Sequence, residues 1–253
     1  MKIGIIGVGE MGGTLAVGWS RAGHSVRVAN SRGPEAVRKF ANEIGAVAAD
    51  IYGAVEDADV VLLSMPFPAI TSLPGDLFDR AAENVVIIDT ANYYPDVRDP
   101  RIAEIDAGMP ESVWVSQQLG RPIFKAFNSI MFYALSELGK AKGAPDRLAL
   151  PVAGDDVRAK QIVMGLVNDM GFDPVDGGSL EESWRQQPST PAYCCDYDAA
   201  KTLEGIRAAV KGKAEKIRDH EWRERYGRLF ASQPTYADVH ADVIALNRSL
   251  NPL

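Results

Sequence analysis

Cysteine and histidine are scarce in this chain of 253 residues, which contains two cysteines and three histidines. The two cysteines, Cys194 and Cys195, are adjacent, and adjacent cysteines rarely bridge to each other. We therefore expect neither a disulfide framework nor a bound metal. Free thiols are typical of a reducing compartment, and the apolar run at the N-terminus is too short for a signal core. The sequence predicts a cytoplasmic protein.

An excess of basic residues and long apolar runs are also missing. Lysine and arginine number 27 against 34 acidic residues, which gives a formal net charge of −7 at pH 7. Nucleic acids and anionic membrane surfaces both attract basic proteins, so neither is an expected partner. No apolar run approaches the roughly 20 residues that cross a bilayer. We expect no nucleic-acid partner and no membrane contact.

Motifs of the common catalytic classes are absent too. The sequence has no nucleophile elbow, no H-E-x-x-H pair and no P-loop. His24 falls in a predicted turn at the opposite edge of the sheet from any ligand, and His220 and His240 fall in a polar tail. No catalytic residue is assigned from the sequence.

Short apolar runs alternate with helical patterns as far as Gly178. The runs predict eight strands, at 2–7, 25–30, 46–49, 59–66, 84–92, 121–128, 147–154 and 172–178. Helical periods lie between them at 11–22, 34–44 and 159–170. Strands that alternate with helices pair in parallel beneath two helical layers. We predict an α/β fold with a doubly wound, Rossmann-like, mostly parallel sheet.

Strand signals stop after Gly178, which divides the chain into a nucleotide-binding domain (1–178) and a C-terminal extension of loop and helix (179–253). The extension carries one apolar helical stripe, formed by Ala199, Leu203, Ile206, Val210, Ala214 and Ile217. Two interpretations remain open: the stripe packs on the chain's own sheet, or it meets a second copy. Because exposed apolar rows usually find a partner, we expect a homodimer.

The stretch "GVGEMG" (Gly7–Gly12) matches G-x-G-x-x-G between a predicted strand and a predicted helix, which is the context the motif requires. In such turns the first glycine allows the tight bend, the second lets a pyrophosphate approach, and the third lets helix and strand pack closely. The residues between them, Val8, Glu10 and Met11, are predicted to contact the same dinucleotide.

The stretch "NSR" follows the second strand, where NAD-binding folds carry an acid about 20 residues beyond the glycines. Asn30 occupies that position without a charge. Ser31 offers a hydroxyl, and Arg32 offers a planar cation suited to phosphate. The replacement predicts selectivity for NADP(H).

Three further stretches end predicted strands at the same edge, where ligands of open α/β sheets bind. They supply further candidate cofactor contacts: Ser64, Met65, Pro66, Ala91, Asn92 and Asn128. Asn92 and Asn128 are predicted to hydrogen-bond a carboxamide or a second ligand, the alternative being that they cap turns. A second ligand is expected between the Lys125–Ile130 loop and the Trp184–Tyr197 segment, whose flat aromatic residues suit a planar ring. The candidate substrate contacts are Tyr94, Ser129, Trp184 and Tyr193.

Taken in order, "IGIIGVGEMGGTLA", "ANSRG", "VVLLSMP", "IIDTAN", "KAFNSI", "LPVAGDD" and "VDGGSLEESW" resemble the coenzyme F420-dependent NADP oxidoreductase family. The cytosolic domains of STEAP metalloreductases look similar over the same stretches. The resemblance implies that the glycine-rich turn holds pyrophosphate and that Ser31 and Arg32 hold a 2′-phosphate. It also implies that Met65 and Pro66 border the ribose and nicotinamide, and that Asn128 borders the nicotinamide or the pocket of the acceptor ring.

The function predicted from residues and resemblance together is an NADPH-dependent oxidoreductase. Its partner is a small-molecule hydride acceptor, either F420, a flavin or a similar ring, and hydride transfer between rings needs little from side chains beyond placement. Two alternatives stay open. An imine or keto reductase would need a proton donor, for which only Lys125 and Tyr94 stand near the right edge. A non-enzymatic NADP(H) sensor would need none.

Overall fold

A computed structural model describes residues 1–253, the whole chain. Its six-stranded parallel sheet has the order β3-β2-β1-β4-β5-β6, and β7 and β8 form a second parallel pair. An antiparallel bridge between Lys125 and Ala153 joins that pair to β6. The strands are β1 Lys2–Ile6, β2 Ser25–Ala29, β3 Val47–Ala48, β4 Val60–Leu63, β5 Val86–Asp89, β6 Phe124–Lys125, β7 Ala149–Val152 and β8 Asp173–Asp176.

Eleven α-helices flank the sheets or form the C-terminal extension. They are α1 Glu10–Arg21, α2 Glu35–Ile44, α3 Ile51–Val55, α4 Ala103–Asp106, α5 Glu111–Leu119, α6 Phe132–Glu137, α7 Val157–Asp169, α8 Ala199–Ala208, α9 Lys213–Lys216, α10 Arg223–Leu229 and α11 Tyr236–Leu250. Two 3₁₀ turns occur at Phe67–Ser72 and Ser183–Gln186, and a π-helix occupies Ile217–Trp222. None of these helices combines the length and hydrophobicity that a bilayer-spanning helix needs.

The predicted fold class is confirmed, including the helical C-terminal region. All eight predicted strands are present, and the sheet separates two large hydrophobic cores, one containing Trp19 and Phe127 and the other Phe67 and Trp114. Because β1, β4, β5 and β6 are parallel, their carboxyl ends meet at one edge. That edge is where an open α/β sheet binds ligands.

The apolar stripe of the extension is not one continuous helix. α8 ends at Ala208, and Gly212, in the left-handed conformation with φ 80°, starts a new helix. Ile206 and Ile217 are buried within the chain, and Val210 is exposed. Part of the stripe therefore packs within the chain, and a homodimer stays a prediction.

The C-terminal helices differ from the polar tail that the sequence predicts, because they bury apolar side chains. Trp222 is buried against Leu246 and Leu250 of α11, and α11 itself packs against α6. A capping box between Thr235 and Asp238 starts α11. The tail thus folds back over the carboxyl edge of the sheet.

Candidate active site

Two glycines of the stretch Gly7–Gly12, one before α1 and one in its first turn, are required by the fold itself. Gly7 has φ 100°, and a Cβ added there would lie 2.0 Å from the carbonyl oxygen of Ser64. A Cβ on Gly12 would lie 2.0 Å from the carbonyl oxygen of Gly7. Both positions therefore exclude any side chain, for the tight turn and the close helix–strand contact respectively.

Gly9 differs, because nothing in the fold requires glycine there. Its φ of −71° and ψ of −163° are extended backbone that any residue adopts. A Cβ added to Gly9 would meet no atom within 4 Å. The turn thus leaves an open cradle at its middle glycine, with room for a ligand.

The start of α1 completes this cradle. Gly9 is the N-cap of α1 and offers no side chain to the first-turn N–H groups. Several other helices also lack a side-chain cap, and what distinguishes the start of α1 is the open space at Gly9. Uncapped N–H groups and the positive helix end attract an anion, so the residues here fit a pyrophosphate.

The segment after β2 presents a cation at the same edge. The side-chain oxygen of Asn30 accepts from the backbone N–H of Arg32 at 2.9 Å and so shapes the turn. Ser31 and Arg32 are exposed, and no acidic side chain forms an ion pair with Arg32. The guanidinium is therefore free to meet a phosphate.

The ends of β4 and β5 form the floor of the site. Ser64 and Met65 are half-buried and Pro66 is exposed, directly after β4. Ala91 is buried, and its backbone N–H donates to Asp89 at 3.0 Å. These residues follow the ends of β4 and β5, and Ser64 lies against Gly7 and Gly12; their contact with a cofactor stays a prediction.

Asn92 and Asn128 contact each other rather than open space. The side-chain nitrogen of Asn128 donates to the side-chain oxygen of Asn92 at 3.1 Å. The side-chain nitrogen of Asn92 donates to the backbone carbonyl oxygen of Asn128 at 2.9 Å. Gln186 donates to the Asn128 side-chain oxygen at 2.9 Å. Asn128 is 2% exposed with both ends of its amide engaged, so it acts on the site through Asn92.

A cavity of about 240 Å³, which we call the aromatic chamber, opens beside this network. Glu10 and Met11 of the glycine-rich turn form one side of it, and residues of the C-terminal helices form the other. Its aromatic walls are Tyr94, Phe132, Tyr193, Trp222, Tyr226 and Tyr236. The chamber therefore connects the cradle, the ends of β5 and β6, and the tail.

Two tyrosine hydroxyls meet at the chamber wall. Tyr94 and Tyr193 are hydrogen-bonded to each other, and the Asn92 amide nitrogen donates to the Tyr193 hydroxyl at 3.3 Å. Burial raises the pKa of both tyrosines above the ordinary value. Each hydroxyl therefore keeps its proton at neutral pH.

Lys125 is a structural residue and does not face the chamber. It is fully buried, and its Nζ contacts the Asp89 carboxylate at 2.8 Å and the Ala91 carbonyl. Glu111 lies near this pair, and its Oε1 has no hydrogen-bond partner. Burial raises the pKa of Glu111 to about 7, although Lys125 and Arg218 oppose the rise.

The predicted substrate residues divide into two groups. Tyr94 and Tyr193 line the chamber, whereas Ser129 and Trp184 are not among its lining residues. Trp184 instead packs under the Arg185 guanidinium, 4.5 Å from its ring centroid. The sequence did not predict that Trp222, Tyr226 and Tyr236 line the chamber, because their spacing in a polar tail does not indicate a cavity. No group of three metal-ligating side chains occurs.

Comparison with known proteins places these features in a family. The family model "NADP oxidoreductase, coenzyme F420-dependent" matches residues 2–93, which include the cradle, the segment after β2 and Asn92. YjhV of Escherichia coli K12 is 48% identical over 112 residues, which are 44% of this chain and 76% of YjhV. The chain belongs to the F420-dependent NADP oxidoreductase family.

Two solved structures of similar proteins extend the comparison. A hypothetical protein of Sinorhizobium meliloti superposes with a TM-score of 0.61 at 27% identity, over 74% of this chain and 89% of that protein. A proposed F420-dependent NADP reductase of Arthrobacter sp. FB24 superposes with a TM-score of 0.59 at 20% identity, over 73% and 87%. At that identity the second likeness concerns the fold alone. Family membership makes the protein an NAD(P)-dependent oxidoreductase.

Proposed function

We propose that this protein is an NADPH-dependent reductase whose hydride acceptor binds in the aromatic chamber. The observation that carries the proposal is the open cradle at Gly9: the fold does not need glycine there, but a pyrophosphate does. The chamber begins at the adjacent residues Glu10 and Met11. A dinucleotide held in the cradle and a second substrate in the chamber would therefore be neighbours.

Different residues of the chain would bind different parts of the cofactor. The first-turn N–H groups of α1 would bind the pyrophosphate, and Ser31 and Arg32 the 2′-phosphate. Met65, Pro66, Ala91 and Asn92 would border the nicotinamide end. When bound, NADPH supplies a hydride, and the apolar walls of the chamber would exclude water from the transfer.

Two acceptor classes are candidates. Family membership favours a deazaflavin such as F420, or a flavin, stacked against the aromatic walls. A carbonyl or imine compound is the second candidate, favoured by the tyrosine hydroxyl pair at the chamber wall.

The test of the proposed function is NADPH oxidation, followed at 340 nm, with F420, FMN, FAD, quinones and a panel of carbonyls and imines. We expect oxidation with at least one acceptor, and slower oxidation of NADH. A protein that binds NADPH but oxidises it with none of them is a sensor rather than an enzyme.

Arg32→Ala should weaken NADPH binding by about 1.5–3 kcal/mol, the range for a hydrogen bond to a charged group, and leave NADH binding nearly unchanged. The reason is that only NADPH carries a 2′-phosphate. Isothermal titration calorimetry measures both affinities. Arg38→Ala, which removes another exposed arginine six residues further on, is the matched control and should change neither. Equal NADH and NADPH affinities in the unmodified protein would contradict the assignment.

A further inference from the structure

A chain of hydrogen bonds runs from the protein interior to the chamber, and its direction is fixed by backbone carbonyls. Gln186 begins it: its side-chain nitrogen lies 3.3 Å from the carbonyl oxygens of Lys125 and Pro151. A carbonyl only accepts, so the side-chain group facing both must be the NH₂ group. The same nitrogen donates to the side-chain oxygen of Asn128 at 2.9 Å.

The next two amides are oriented in the same way. The side-chain nitrogen of Asn128 donates to the backbone carbonyl of Gln186 at 2.8 Å, and the side-chain nitrogen of Asn92 donates to the backbone carbonyl of Asn128 at 2.9 Å. Each contact with a backbone carbonyl settles which end of the amide is nitrogen. The second hydrogen of Asn92 therefore points to the Tyr193 hydroxyl oxygen, 3.3 Å away.

The direction continues through the tyrosines. The Tyr193 oxygen accepts from Asn92, and either tyrosine can supply the proton that the two hydroxyls share; in the arrangement that continues the direction of the chain, Tyr193 supplies it. The Tyr94 oxygen accepts that proton, and no other protein group is hydrogen-bonded to its hydroxyl. The Tyr94 proton is thus left free at a residue that lines the chamber.

The chamber is suited to an uncharged molecule. Its walls are mostly aromatic or aliphatic, and Trp222 stacks on Tyr94 with centroids 5.2 Å apart. Two charged residues, Glu10 and Arg98, also line the chamber, and the Nε and Nη2 of Arg98 each contact the fully buried Asp99 carboxylate at 2.9 Å. A volume of about 240 Å³ is below the roughly 300–1,000 Å³ of drug-sized sites, so the ligand is small.

We propose that Tyr94 is the catalytic proton donor for reduction of a small, uncharged ring compound bearing a C=O or C=N group, bound in the aromatic chamber. The proposal rests on the proposed function, with NADPH as the two-electron reductant. Hydride adds to the carbon, the π electron pair moves to oxygen or nitrogen, and that atom takes the Tyr94 proton. Tyr193 stabilises the Tyr94 phenolate by its hydrogen bond, and water restores the proton after product leaves.

The experiment uses the full chain with benzaldehyde as the carbonyl probe and 3,4-dihydroisoquinoline as the imine probe. Tyr94→Phe should lower kcat about 100-fold, within the range for general acid catalysis, and leave NADPH affinity unchanged. The ring and its stacking on Trp222 are kept, so folding should be preserved. Tyr193→Phe should lower kcat by about tenfold, because the donor remains but its partner is lost. Tyr133→Phe, outside the chamber, is the control.

A second readout does not depend on turnover. Probe binding is followed by quenching of tryptophan fluorescence, to which Trp222 contributes from the chamber wall. The Kd of either probe should rise several-fold in Tyr94→Phe, because the hydroxyl that donates to its oxygen or nitrogen is gone.

The possible results distinguish failure of the Tyr94 proposal from failure of the proposed function. Absence of NADPH binding, or binding without oxidation by any acceptor, overturns both. Oxidation with F420 or FMN but with neither probe overturns the Tyr94 proposal alone. So does probe reduction that Tyr94→Phe sustains at the rate of the unmodified protein. Reduction of either probe with the expected loss in Tyr94→Phe supports it.

Discussion

Gly9→Val should abolish NADPH binding and leave the folded structure intact. The backbone at Gly9 is extended and no atom lies within 4 Å of an added Cβ, so valine fits the protein alone. Its methyl groups would fill the space in front of the first-turn N–H groups of α1, where a pyrophosphate needs to approach. Calorimetry should detect no NADPH binding, and circular dichroism should give a melting curve close to that of the unmodified protein.

Gly12→Ala is the matched comparison, because it alters the same motif for the opposite reason. Its methyl group would lie 2.0 Å from the Gly7 carbonyl, so strand and helix must separate. We expect a clear fall in melting temperature whether or not cofactor is present. If Gly9→Val binds NADPH with unchanged affinity, the glycine-rich turn is not the pyrophosphate site.

Glu111→Gln should stabilise the protein at pH 8 by about 3 kcal/mol and change little at pH 5. Burial raises the pKa of Glu111 from its ordinary value of 4.5 to about 7. Between pH 4.5 and about pH 7, Glu111 keeps its proton in the folded protein and has lost it in the unfolded chain, so the free energy of unfolding falls as pH rises. Above pH 7 the carboxylate is charged in both states and the full cost of about 3 kcal/mol remains.

Glutamine tests this cost because it cannot ionise. It keeps an oxygen to accept from the Tyr93 backbone N–H, which lies 3.2 Å from Glu111 Oε2. Urea unfolding of both proteins at pH 5 and pH 8 gives the difference in stability, with other titrating groups common to both. A difference that is the same at the two pH values would mean that Glu111 does not titrate in this window.

The nucleotide-binding half could be predicted because its signals are local. Strands such as β4 and β5 are short continuous apolar runs, and the glycine-rich turn needs only a strand before it and a helix after it. The cap at Asp156 and the end of α7 near Gly171 also follow from neighbouring residues. Such features depend on contacts within a few positions, so periodicity reveals them.

The chamber could not be predicted, because it brings together residues distant in the chain. Tyr94 meets Tyr193 across 99 positions, and Trp222 closes on them from a π-helix. The break between α8 and α9 combines an extended Ala209 with a left-handed Gly212 inside a regular apolar stripe. Gln186 orients Asn128 although the two lie 58 positions apart, and no sequence pattern predicts a contact over that distance.

The return of the tail over the sheet has an evolutionary consequence. α11 is held against the preceding loop by polar contacts, among them Asn247 to the Cys194 carbonyl and Arg248 to the Cys195 carbonyl. The cradle belongs to the first strands, whereas much of the chamber wall belongs to the last sixty residues. Under the proposed function, exchange of that terminal segment would change which molecule is reduced and leave nucleotide binding unaltered. Relatives with the same glycine-rich turn are therefore expected to diverge in substrate through their C-terminal helices.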